Sequence, residues 1–303
     1  MPLGKPKQDE PPKEKNSEAR FDGLELVDPK YSFNDLIISA DTNAELKALA
    51  SLKKDHELVF KKMGFGETHN RQNKFIVNFY GEPGTGKTLA AHAFAYEFGK
   101  KLLIVDYSQV ESKYVGETPK NLKKIFDFAA NKDCLIFFDE ADAILSRRVT
   151  DMHSSTDTSV NQTRSVLLNI LNEFDGNLIF ATNFISNYDP AFMRRISKHV
   201  IFTLPDYDCR EKLLKRYIPA RQHPALDFSF LAKHSEGLSA ADIENATLMT
   251  GFFVASKQQE IITNGDIITQ IDNIKMSKQH NSALLTTYAT NPNTVIRSKE
   301  ENK

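Results

Sequence analysis

At 303 residues and 40% hydrophobic content, the chain has room for an α/β core of about two hundred residues plus a small helical unit. Its 39 lysines and arginines nearly balance 40 aspartates and glutamates, and the resulting net charge of −1 gives no overall pull toward nucleic acid, so no nucleic-acid partner is expected. Two cysteines, Cys134 and Cys209, make neither a disulfide framework nor a metal cluster, no apolar run reaches the ~18 residues that span a bilayer, and the opening MPLGKPKQDEPPKEK lacks the apolar stretch of a secretory leader, which leads to an expectation of cytoplasmic residence.

Residues 1–30 read as a disordered polar tail, most clearly up to about Arg20, where Pro, Lys, Glu and Asp dominate. From Tyr31 to Lys74, apolar positions such as Leu36, Leu46, Leu49, Leu52, Leu58 and Phe60 predict helices that lead into the first strand. His56 and Glu57 begin a zinc-protease HExxH pattern, but Phe60 stands in place of its second histidine, which removes that reading.

Phe75 to Tyr80 is an apolar strand, and GEPGTGKT from Gly81 to Thr88 follows it, with a helix-forming run from Leu89 to Phe98 behind. Glycines at 81, 84 and 86 let backbone N–H groups curl around phosphate oxygens at the positive end of a helix. Lys87 is placed for the β and γ phosphates and Thr88 for Mg²⁺. The candidate nucleotide contacts are therefore Glu82, Pro83, Gly84, Thr85, Gly86, Lys87, Thr88 and Leu89, joined by Asp139.

Strands then alternate with helices at Leu102–Asp106, Cys134–Asp139, Asn177–Thr182 and His199–Phe202, a pattern that predicts a parallel sheet covered on both sides. The run ending in Asp139 and Glu140 sets two carboxylates at the end of a buried strand, where ligands bind in open α/β sheets. Asp139 suits the metal and Glu140 the attacking water, although Glu140 to Asp142 could also cap the next helix. Val149–Thr163, polar and without apolar period, predicts a loop carrying His153. Pro205 and Asp206 mark a boundary, after which helices are predicted at 210–217, 229–234, 240–256 and 264–276, within a unit ending at residue 278, followed by a polar tail over 279–303.

In order and spacing, these motifs and four others resemble the AAA+ ATPases over about residues 31 to 258. Within that family they resemble the Vps4, katanin and spastin type, and FNDLIISADTNAELKAL with DYSQVESKYVGETPKNLKKIF reads like its bacterial, single-domain SpoVK branch. The resemblance implies a P-loop core with a five-stranded parallel sheet in the order 5-1-4-3-2 over 31–205, and an all-helical lid over 206–278. It also implies that Lys113, Tyr114 and Val115 form a pore loop gripping extended polypeptide, and that Asn183 is the sensor touching the attacking water. Arg194 and Arg195 would be finger arginines reaching a neighbouring subunit, although Met193 and His199 depart from the basic residues usual beside them. Read without the family, Tyr114 could pack beneath a surface loop, Asn183 could turn the chain, and the arginines could be a solvated pair.

The implied activity is Mg-dependent ATP hydrolysis by a homo-oligomeric ring, a hexamer, that unfolds, threads or disassembles protein substrates. The alternatives are a nucleic-acid remodelling or loading ATPase, which would want a basic surface, and a non-hydrolysing scaffold, which Glu140 disfavours.

Overall fold

The computed structural model describes residues 24–68, 74–106, 117–145, 155–183 and 188–290. Five apolar runs form parallel strands: β2 (Phe75–Gly81), β3 (Leu102–Asp106), β4 (Leu135–Asp139), β5 (Asn177–Thr182) and β6 (Lys198–Phe202). Counted from β2, their spatial order is the expected 5-1-4-3-2. A sixth strand, β1 (Leu24–Val27), pairs antiparallel with β3, Leu24 opposite Val105 and Val27 opposite Leu102. This corrects both the strand count and the reading of 1–30 as an unstructured tail. Four residues are too few to reveal alternation in sequence, whereas the free N–H and C=O groups of an edge strand supply a partner that only the fold creates.

Side chains alternate across the sheet, and each face has its own core. Ile76, Ile136, Phe138, Leu178 and Phe180 meet helices α3 (Glu117–Lys132) and α5 (Ser155–Glu173) on one side. Phe75, Val77, Phe79, Leu135, Phe137 and Ile179 meet α2 (Lys87–Glu97) and α1 (Ala40–Lys54) on the other. Helix α3 shows the period that makes this possible: Leu122, Ile125, Phe126 and Ala129 fall on one stripe and are all buried. His56 and Phe60, the interrupted HExxH positions, stack their rings at 4.4 Å.

Helix α5 begins at Ser155, so the expected loop at Val149–Thr163 is helical over 155–163; residues 149–154, with His153, lie outside the described residues. Burial of Leu167, Leu168 and Leu171 anchors that helix, and the polar turns ahead of them extend from the anchored end. Two one-turn helices follow in the core, α4 (Asp142–Leu145), which precedes α5 in the chain, and α6 (Pro190–Met193).

Beyond β6, helices α7 (Tyr207–Tyr217), α8 (Phe228–His234), α9 (Ala240–Ser256) and α10 (Asn264–Thr290) enclose a third core of Leu213, Leu214, Leu231, Ile243, Ile267 and Ile271. Asp206 caps α7 by accepting the Cys209 N–H at 2.8 Å, and Ser239 with Asp242 forms a capping box on α9. Helix α10 runs to Thr290, past the expected limit at 278, because no glycine or proline interrupts it between Gly265 and Pro292. Among the described residues, no helix is long and apolar enough to cross a membrane.

Gly81 ends β2 with φ 142°, opposite Phe202 in β6, and a Cβ there would collide with the Phe202 carbonyl. Gly99, at φ 63°, has open space around it. Gly81→Ala is therefore expected to lower stability by about 1–3 kcal/mol more than Gly99→Ala. Thermal melting of the two variants checks this, and equal losses of Tm would leave backbone conformation alone as the cause.

Candidate nucleotide site

The carboxyl ends of β4, β5 and β2, three neighbouring strands, open into a cleft of about 300 Å³. Its walls come from the phosphate-type loop, Asp139 and Glu140, Ala181 to Asn183, the lead-in residues Asp35 to Ile38, and residues of the helical unit beyond β6, the expected lid, including Leu213, Arg216, Tyr217 and Ala241. Lead-in and lid are joined across it: Arg216 donates to the Asp35 carbonyl at 2.5 Å, and Ile37 packs against the lid core.

Between β2 and α2 the loop is held by its own side chains, Thr85 Oγ1 donating to the Glu82 carbonyl at 2.7 Å. Gly84, at φ 72°, has a second task that the motif does not announce. Its carbonyl accepts the Ala241 N–H at 3.1 Å, and a Cβ would stand 2.7 Å from the Ala241 Cβ and 2.8 Å from Ser239 Oγ. The start of α9 thus seats directly on the loop, which ties the lid to it.

Lys87 is buried at the first position of α2. Its Nζ donates to the Gly81 carbonyl at 2.6 Å, the Glu82 carbonyl at 3.1 Å and Asn183 Oδ1 at 3.2 Å. Burial pulls its pKa below the usual lysine value, and the carboxylates of Asp139, Asp142 and Glu82 oppose that pull. The Lys87–Asn183 contact joins two motifs 96 residues apart, an arrangement that aims both side chains at one point.

Burial raises the pKa of Asp139, while the Glu140 N–H, donating to Oδ1 at 3.0 Å, Lys87 and the Thr88 hydroxyl oppose the rise. Thr88 and Asp139 thus bring a hydroxyl and a carboxylate oxygen together, the hard donors that Mg²⁺ takes. Glu140 is exposed and holds φ 51°, a left-handed conformation that costs a non-glycine residue about 1–2 kcal/mol. The turn is fixed by the next residue, Ala141, whose N–H donates to the Ala181 carbonyl at 3.0 Å. Asp142, read in sequence only as a cap, accepts the Asn183 N–H on both carboxylate oxygens, at 3.2 and 3.1 Å.

Arg194 and Arg195 do not line this cleft. Arg194 is exposed, whereas Arg195 donates from Nε to Asn172 Oδ1 at 2.8 Å and from its guanidinium to the Ala191 carbonyl at 2.7 Å. The structure thus brings together Lys87, Thr88, Asp139, Glu140 and Asn183 and leaves the arginine pair apart. Lys113, Tyr114 and Val115 lie outside the described residues.

A family model described as "ATPase family associated with various cellular activities (AAA)" matches residues 77–204. The chain is 30% identical over 256 residues to the "Probable 26S proteasome regulatory subunit 10B" of Caenorhabditis elegans, which covers 82% of this chain and 61% of that protein. It is 31% identical over 265 residues to the proteasome-activating nucleotidase of Thermococcus onnurineus, covering 85% and 65% of the two chains. It is 32% identical over 215 residues to the 26S proteasome regulatory subunit 10B homolog A of Arabidopsis thaliana, covering 68% and 54%. The chain therefore spans less than two thirds of each of these relatives. They are eukaryotic and archaeal, and lend no support to the bacterial assignment made from the motif wording.

Proposed function

We propose that this chain, whose residues 77–204 match the AAA ATPase family model, hydrolyses ATP as a subunit of a homo-oligomeric ring, a hexamer, and uses the energy to unfold, thread or disassemble proteins. The observation that carries the reading is the Lys87 Nζ to Asn183 Oδ1 contact at 3.2 Å, set beside the pairing of Thr88, in the first turn of α2, with Asp139, at the end of β4. Relatives named as proteasome-activating nucleotidases and proteasome regulatory subunits favour protein over nucleic acid as the substrate class. The finer katanin and spastin subgroup rests on the motif wording alone. Cytoplasmic residence goes with the same reading.

In this mechanism the backbone of Glu82 to Gly86 surrounds the phosphates, and Leu36, Ile38, Leu213 and Tyr217 offer apolar walls to the base. Lys87 neutralises charge on the β and γ phosphates. Thr88 and Asp139 would hold magnesium, which supplies further charge neutralisation when bound. Glu140 orients the attacking water and takes its proton, and Asn183 holds that water against the γ phosphate. Arg194 and Arg195 of a neighbouring subunit complete the clamp as charge develops in the transition state.

The test of the substrate class is stimulation. An unfolded protein is expected to raise the ATPase rate and single-stranded DNA to leave it unchanged; the reverse result would move the chain to nucleic-acid remodelling. Tyr114→Ala is expected to lose the stimulation by protein, and Tyr114→Phe to keep most of it, because the ring face and not the hydroxyl would grip an extended chain. Stimulation unchanged in Tyr114→Ala would refute threading by this residue.

A further inference from the structure

The one-turn helix α4 begins two residues after Glu140, and it anchors both ends of the segment that leads from Asn183 to the arginines. At its start, the Asp142 carboxylate accepts the Asn183 N–H at 3.1–3.2 Å. At its end, the Leu145 carbonyl accepts the Asp189 N–H at 3.0 Å. Asp189 in turn caps α6 through the Ala191 N–H at 2.8 Å, and α6 runs directly into Arg194 and Arg195. Ile144, Leu145, Tyr188, Phe192 and Ile196 are buried in one cluster, so α4 and α6 pack as a unit.

Asn183 stands just past the end of β5, its side-chain oxygen on Lys87 Nζ and its peptide N–H on Asp142, so the orientation of that peptide bears on where the side chain points. A carboxylate accepting that peptide N–H sets the orientation with a charge-assisted hydrogen bond, stronger than a neutral one. We propose that Asp142 is a positioning residue for hydrolysis, holding Asn183 in line with Lys87 and, through α4, registering the arginine-bearing segment with Glu140. It acts through these groups and makes no contact with the reacting atoms. The inference rests on the ATPase reading above and assigns a role within that site.

The experiment measures turnover and nucleotide affinity separately for the full chain and for Asp142→Ala and Asp142→Asn. Misplacement by about 1 Å can cost on the order of 10²-fold in rate, so kcat of Asp142→Ala is expected to fall by about that factor while the Kd for a fluorescent ATP analogue changes little. Asp142→Asn, whose amide oxygen still accepts the Asn183 N–H, is expected to recover most of kcat. Wild-type kcat in Asp142→Ala, or equal losses in the two variants, overturns the proposal. Should Asp142→Ala fail to fold, Asp142→Glu serves instead: it keeps the charge, lengthens the arm by a methylene, and must lose turnover, so full activity there also overturns the role. Absence of any ATP hydrolysis by the unmodified chain would instead refute the ATPase reading itself, and the two failures are thus distinct.

Discussion

Glu140→Gln is expected to bind ATP as the unmodified chain does and to hydrolyse it 10²–10⁴-fold more slowly, the range over which a positioned general base acts. The amide keeps the size of the side chain and its exposed place on the left-handed turn after β4, and removes only the ability to take a proton. The fold and the cleft should therefore be unchanged, and retained nucleotide should stabilise the proposed ring. Lys87→Ala is expected to behave differently. Its Nζ links the Gly81 and Glu82 carbonyls to Asn183, so its loss removes both a phosphate partner and the brace of the loop. Loss of one charge-assisted contact, about 1.5–3 kcal/mol, corresponds to a rise in Kd of roughly 10- to 100-fold. Steady-state turnover with equilibrium binding of a fluorescent ATP analogue separates the two. Normal hydrolysis by Glu140→Gln would remove this residue from the water-activating role.

Larger still is the loss expected on removing an arginine that acts between subunits, about 10³–10⁵ in kcat. Arg194 is exposed and Arg195 is turned toward Asn172 and the Ala191 carbonyl, and neither reaches the cleft of its own chain. If a second copy presents them to that cleft, turnover per subunit must rise with protein concentration. Arg194→Ala should lose turnover without loss of Tm, because its exposed side chain braces no described contact that stability depends on. Arg195→Ala should lose turnover together with some Tm, since two internal hydrogen bonds go with it. Mixing either variant with Lys87→Ala should restore part of the activity, each chain completing the interface the other cannot. Turnover independent of concentration in a chain shown to be monomeric would rule out the arrangement.

The sequence by itself determined the five parallel strands and the phosphate-type loop, because their signals are local. A strand buried on both faces must be apolar throughout, as Leu135 to Phe138 are, and a loop that curls around phosphate must be rich in glycine. Tertiary structure alone decided the rest. Strand β1 exists because β3 has a free edge, and α5 starts at Ser155 because its far end is buried, so neither is written in the residues that adopt it. Gly84 seats the lid as well as clearing space at the loop, and Asp142 grips a peptide 41 residues away. Hydrogen bonds of this kind need donor and acceptor within about 3 Å, a condition set by how strands are ordered in space and invisible to spacing along the chain.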